Sequence, residues 1–190
     1  MKFFIGNHIG IYDNALNQKD CEILINQFEK SHQIEGGIYM GNGYEINHFH
    51  KKCKELKDTH FLDKSVVSNI IKARIRECLI KYKKDFPPCT DYTSQWDIDD
   101  GYTFQKYEKE DEGYKTWHCE AGGPPTSHRM LAWMFYLNDA KCGTEFIDYG
   151  TMQAKRGRCA VWPAGWTHVH RGVTPNIGLK YIITGWCSYK

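Results

Sequence analysis

Beyond residue 90 the chain is cut into short apolar runs by turn-forming residues, and this punctuation restricts the fold more than any other feature. The runs that read as strands are Tyr102–Tyr107, Thr116–Glu120, Arg129–Leu137, Thr144–Ile147, Arg158–Trp162, His168–Arg171 and Lys180–Trp186. Between them stand Gly122-Gly123-Pro124-Pro125, Asn138-Asp139, Lys155-Arg156-Gly157, Pro163-Ala164-Gly165 and Pro175-Asn176-Ile177-Gly178. Short strands separated by such residues predict an antiparallel sandwich or barrel.

The first half has a different period. Cys21, Leu24, Ile25 and Phe28 recur at the three-and-four spacing of one helix face, predicting a helix between Gln18 and Ser31. Val67, Ile70, Ile71, Cys78, Leu79 and Tyr82 predict a second between Lys64 and Lys84, with Asp63 as its cap and Pro87-Pro88 as its stop. Residues 33–60 are rich in Gly, Asn and His and carry no clear period. At 190 residues, 41% hydrophobic and 25% charged, the chain is expected to form one domain over 1–190, with 1–90 as a helical flank and 91–190 as the core.

Several classes are set aside. A formal charge of +2 lacks the concentrated basic surplus of a nucleic-acid binder. The apolar run Leu131–Leu137 is far short of the ~20 residues that cross a bilayer. Asn7 and His8 interrupt the N-terminal apolar stretch too early for an export signal. The eight scattered cysteines, with no CxxC pair, read as reduced thiols of an intracellular, cytoplasmic protein.

Trp117-His118-Cys119-Glu120 places an imidazole and a carboxylate two positions apart. On a strand both side chains would point to one face, with Cys119 turned away. Alone, an HxE is a weak signal. Fifty residues on, His168-Val169-His170 offers a second imidazole from a distant strand. Two histidines and one carboxylate on one side of a metal leave three positions open, the arrangement of non-haem Fe(II) sites, whereas structural zinc favours four closed ligands. Lys180 is a cation in the apolar strand Tyr181-Ile182-Ile183, costly to bury unless an anion meets it. His48-Phe49-His50 has no accompanying carboxylate and reads as core or surface histidines.

These motifs, in order, resemble the 2-oxoglutarate and Fe(II)-dependent oxygenases, most closely the prolyl 4-hydroxylase group and its short viral members. The matching elements are Phe104-Gln105-Lys106-Tyr107, His118-x-Glu120, Tyr136-Leu137-Asn138, Gly143-Thr144-Glu145-Phe146, Lys155–Arg158, Trp162-Pro163, and His170 followed ten residues later by Lys180. The resemblance implies a mainly β (α+β) double-stranded β-helix, a jelly-roll, cupin-like core with N-terminal flanking helices. It implies Fe(II), 2-oxoglutarate and O2 as cofactors, with His118, Glu120 and His170 as metal ligands and no further catalytic residue. The interval to Lys180 selects His170 over His168. Lys180, Tyr136 and Tyr107 are implied to face 2-oxoglutarate, and Thr144, Arg129, Trp166, Arg171 and Trp186 are candidates for the substrate pocket. The implied reaction hydroxylates an unactivated C–H bond, at C4 of a prolyl residue in a peptide or protein, releasing succinate and CO2. A free amino acid or other small molecule as substrate, and a non-catalytic cupin-like metal-binding module, are the alternatives. Prolyl hydroxylases usually carry Asp where this chain has Glu120, which is one methylene longer.

Overall fold

The computed structural model describes residues 2–4, 8–40, 43–56, 59–108, 110–174 and 178–190. Pro175–Ile177 of the last predicted turn, and Met1 and Ile5–Asn7 of the N-terminal stretch, lie outside the described residues.

Strands β1 (Lys2–Phe4) and β2 (Gly10–Tyr12) precede helix α1 (Gln18–Lys30). Next come β3 (Gln33–Glu35), β4 (Ile38–Met40), β5 (Gly43–Glu45), β6 (Lys51–Lys52) and β7 (Lys54–Leu56). Helix α2 (Val66–Asp85) and the one-turn α3 (Pro88–Asp91) close the first half. The second half holds β8 (Trp96–Tyr107), β9 (Gly113–Tyr114), β10 (Arg129–Tyr136), β11 (Gly143–Phe146), β12 (Gly150–Gln153), β13 (Cys159–Pro163), β14 (His170–Gly172) and β15 (Lys180–Tyr189).

Both helices fall where their periodicity places them, with local caps. Asn17 accepts from the Asp20 amide at the start of α1. At α2 the cap is Ser65, which accepts from the Ser68 amide; Asp63, the expected cap, instead accepts from the Ser65 amide. Pro87 follows directly on Phe86, which disfavours helical backbone there and ends the helix.

The larger sheet runs β1-β2-β13-β10-β15-β8-β7-β3 with every neighbouring pair antiparallel, and the smaller runs β12-β11-β14. The fold is a mainly β jelly-roll core with helices packed against its larger sheet. Residues 1–90 are more than a helical flank, because β2 pairs with β13, and β7 with β8. These strands are three residues long, too short for a period to show in sequence.

Alternation divides the larger sheet into two faces. Leu131, Trp133 and Phe135 of β10 pack with Val161, Ile183 and Phe104 against Leu24 and Phe28 of α1 and Ile71, Ile75 and Leu79 of α2. The intervening Ala132, Met134 and Tyr136 pack with Ala160, Trp162 and Ile182 against Phe146 and Met152 of the smaller sheet. Gly185 is required where the sheet meets Trp133, since a Cβ there would lie 2.2 Å from the indole. The eight cysteines are free thiols, and no helix among the described residues is long and apolar enough to cross a membrane.

Candidate active site

His170 opens β14 and His118 lies in the segment that passes it. The expected strand Thr116–Glu120 is absent: only His118 bridges, exchanging both backbone hydrogen bonds with His170 (His118 N to His170 O 3.0 Å, His170 N to His118 O 2.9 Å). The turn residues that follow Glu120 end the pairing at once. This reciprocal pair sets the two imidazoles side by side, with ring centroids 4.4 Å apart.

Main-chain carbonyls then fix the tautomers. His118 Nδ1 donates to Thr116 O and His170 Nδ1 to His168 O, each at 2.9 Å. A carbonyl only accepts, so Nδ1 carries a proton on both rings, which leaves Nε2 as the lone-pair atom of each ring in its neutral form. Glu120 Oε1 stands 3.8 Å from His118 Nε2 and 3.4 Å from His170 Nε2, and one ligand atom from each of the three residues lies within 4.8 Å of the others. Burial, and then the neighbouring His170, push the His118 pKa down to about 4, so its ring is neutral at neutral pH. Burial alone would raise the Glu120 carboxyl; a protonated His170 ring, a charge on His118 and the Trp186 indole N–H each favour the carboxylate and together outweigh burial, holding the pKa at about 2. With both rings neutral, two lone pairs and a carboxylate oxygen would converge on one point, an arrangement that a cation between them stabilises. This donor set fits Fe(II).

Further in, Lys180 is 2% exposed, and no carboxylate among the described residues lies within ion-pair distance of it. Its Nζ donates to Val173 O at 3.0 Å and stands 4.5 Å from the Tyr107 ring centroid. Burial lowers its pKa. Beside it, Gly172 pairs with Thr144, whose hydroxyl is 2.6 Å from Tyr136 Oη; a Cβ on Gly172 would lie 3.7 Å from Lys180 Nζ. The sandwich interior thus brings together Lys180, Tyr107, Tyr136 and Thr144.

The remaining candidates divide between the surface and the three-donor cluster. His168 is in a short 3₁₀ turn, Trp166–His168, not alternating with His170 on one strand. Trp166 is 80% exposed on that turn. Arg171 alternates outward from His170, pairing with Glu145 at 2.8 Å and stacking 4.4 Å over Trp117. Arg129 and Trp186, expected at the substrate pocket, both engage Glu120.

Sequence reasoning missed two groups. Tyr114 stacks on His118 at 3.7 Å between centroids and 11° between planes. Lys51 and Glu55 form a buried ion pair; Glu55 also accepts from Gln105 Nε2 at 3.1 Å, and Gln105 from Tyr107 Oη at 2.6 Å. A charged stretch, Lys51-Lys52-Cys53-Lys54-Glu55, reads as solvated surface. The available signal was its alternation: Lys51, Cys53 and Glu55 are buried, while Lys52 and Lys54 are half-exposed.

A jelly-roll with two imidazoles and one carboxylate converging inside it has the donor set of a non-haem metal site. Residues 102–188 match the family model of the 2OG-Fe(II) oxygenase superfamily, and together with the His118, Glu120 and His170 cluster this match supports Fe(II), 2-oxoglutarate and O2 as cofactors. No curated protein is significantly similar in sequence. Among solved structures, the chain is similar to a viral collagen prolyl hydroxylase from Paramecium bursaria Chlorella virus-1, in its 2OG complex, at 16% identity and TM-score 0.61, over 97% of this chain and 98% of that one. It is similar to a Trichoplax adhaerens prolyl hydroxylase in complex with a hypoxia inducible factor peptide fragment, at 14% identity and TM-score 0.70, over 96% and 84%. The α-ketoglutarate-dependent epimerase SnoN of nogalamycin biosynthesis shares the fold at 12% identity and TM-score 0.62, over 96% and 78%. At these identities the likeness is one of fold.

Proposed function

We propose that this oxygenase hydroxylates a prolyl residue, at C4, within a peptide or protein. The observation that carries the oxygenase part is the pairing of the three-donor cluster with a buried, anion-seeking Lys180 in one interior. The prolyl part rests on the motif resemblance and on the prolyl hydroxylases among its structural neighbours.

In this reading His118, Glu120 and His170 hold Fe(II). When bound, the metal with 2-oxoglutarate and O2 supplies oxidation of a C–H bond and yields succinate and CO2. Lys180 receives the distal carboxylate of 2-oxoglutarate, exchanging the cost of a buried unpaired cation for a charge-assisted contact. Tyr136 and Thr144 supply hydroxyls beside it, and Tyr107 covers the ammonium with its ring. Trp162 and Phe146, both against His170, keep water from the interior side of the site. This chemistry requires no nucleophile or general base from the protein.

The test is incubation with Fe(II), 2-oxoglutarate and O2 and either a proline-rich peptide or free proline, reading succinate and the mass of the product. One added oxygen on a prolyl residue of the peptide, with matching succinate, is the expected result. Succinate coupled only to a small molecule would replace the peptide reading with the one SnoN exemplifies, and no succinate with any substrate would overturn both.

A further inference from the structure

Glu120 carries its carboxylate one methylene farther from the backbone than an aspartate would, and its two oxygens have different surroundings. Oε1 is the oxygen turned toward both Nε2 atoms. Oε2 accepts from Trp186 Nε1 at 2.7 Å, and Arg129 Nη1 stands 3.5 Å from it. The same Nη1 donates to the Glu120 carbonyl at 3.2 Å, and the Arg129 guanidinium carbon lies 3.7 Å over the Trp186 ring. A register shift in β10 makes this possible. Between Arg129 and Leu131 the pairing with β15 slips by one residue, so Met130 packs with the helix-side core and Arg129 joins the face of Trp186.

We infer that Trp186 and Arg129 are positioning residues that hold Glu120 as a one-oxygen metal ligand. The inference rests on the metal-site reading above. An indole N–H is a donor only, and its bond draws Oε2 toward Trp186 while Oε1 faces the two Nε2 atoms, so the carboxylate presents one oxygen to the site. Arg129 clamps the indole from above by cation–π contact and is itself tied to the Glu120 carbonyl, so the ring cannot swing away without breaking both its bond to Oε2 and its stack under Arg129. Held in this way, Glu120 would take a single position on a bound metal, and cosubstrate and O2 would have the others. The extra methylene of Glu120 is what lets the carboxylate reach the indole and the histidines together.

The test is Co(II) affinity, measured by equilibrium dialysis without turnover, for the native protein, His170→Ala, Trp186→Phe, Arg129→Lys, Glu120→Asp and the double variant Glu120→Asp/Trp186→Phe. Native protein binds Co(II) and His170→Ala does not. Trp186→Phe, which keeps a ring and removes only the N–H, binds about 10–100-fold more weakly. Arg129→Lys, which keeps the charge and loses the planar stack, falls in the same direction by a smaller factor. The double variant binds no more weakly than the worse of its two single variants, because aspartate has no reach to the indole. Native affinity in Trp186→Phe, or losses that multiply in the double variant, would overturn the inference while leaving the metal site standing. If Trp186→Phe does not fold, native affinity in Arg129→Lys overturns it instead. Absence of Co(II) binding in the native protein overturns the metal reading and this inference with it.

Discussion

The two faces of the larger sheet are built from alternate residues of the same strands, yet they do opposite work. On β10, Leu131, Trp133 and Phe135 meet the helices through apolar surface only, whereas Tyr136, one position on from Phe135, faces the smaller sheet with its hydroxyl on Thr144. On β15, Tyr181 and Ile183 face α1 and α2, while Lys180, Thr184 and Trp186 face inward. The helix side gains stability from close packing. The inner side accepts a buried cation and unsaturated donors, which cost stability, in return for chemistry. A period of two residues therefore separates the part of each strand that holds the fold from the part that acts.

The strongest way to break this comparison is on the helix face. Trp133→Ala should lower stability by about 3–5 kcal/mol, read by urea unfolding, because it empties a fully buried site. Metal affinity of the molecules that remain folded should be unchanged. A variant that keeps its stability and loses metal would show that the two faces are not separable.

Lys180→Met asks the reverse question. It should weaken 2-oxoglutarate binding by about 2–5 kcal/mol, leaving the distal carboxylate unpaired. Without cosubstrate it should be at least as stable as the native protein at neutral pH. The sign follows from the depressed pKa of Lys180. The unfolded chain binds this proton more readily than the folded one, so the native protein gains stability as pH rises from the folded pKa toward the unfolded value. Lys180→Met should lack that rise, and chemical unfolding of both proteins between neutral and alkaline pH measures it.

How much of this was readable beforehand varied by region for physical reasons. The long strands after residue 90 and both helices are legible because apolar residues repeat over many positions, whereas the short β9 and β12 carry no such repeat and are not predicted. Lys180 stands out as a cation at the head of the apolar run Tyr181-Ile182-Ile183, and His170 through its ten-residue interval to Lys180. Thr116–Glu120 looks like a strand and is not, since one reciprocal bridge at His118 suffices to place the ligands and turn residues follow immediately. Arg129 and Trp186 were legible as inner residues, but their attachment to Glu120 depends on a register shift that no sequence period reports. The Lys51–Glu55 pair stayed hidden because charged residues are buried only when a partner is supplied by the fold.

The smallest effect tests the edge where the first half joins the core. Asp13, just after β2, accepts from Arg158 Nε at 2.7 Å and from Lys155 Nζ at 2.9 Å, next to β13. The Arg158 hydrogen bond holds its carboxyl below the ordinary value despite burial. Its stabilisation is present above the unfolded pKa of about 3.9 and is lost as pH falls through the folded one. Asp13→Asn should cost about 1 kcal/mol at neutral pH and progressively less in acid, read from thermal melts across that range.

The central claim is that the three-donor cluster and Lys180 form one metal and cosubstrate site. It is tested most directly by anaerobic titration of the protein with Fe(II) and then 2-oxoglutarate, watching for the visible absorption of a chelated keto acid. The account predicts that the band appears in the native protein, is absent in His170→Ala, and in Lys180→Met needs far more 2-oxoglutarate. Fe(II) uptake with no band at any 2-oxoglutarate concentration would contradict it.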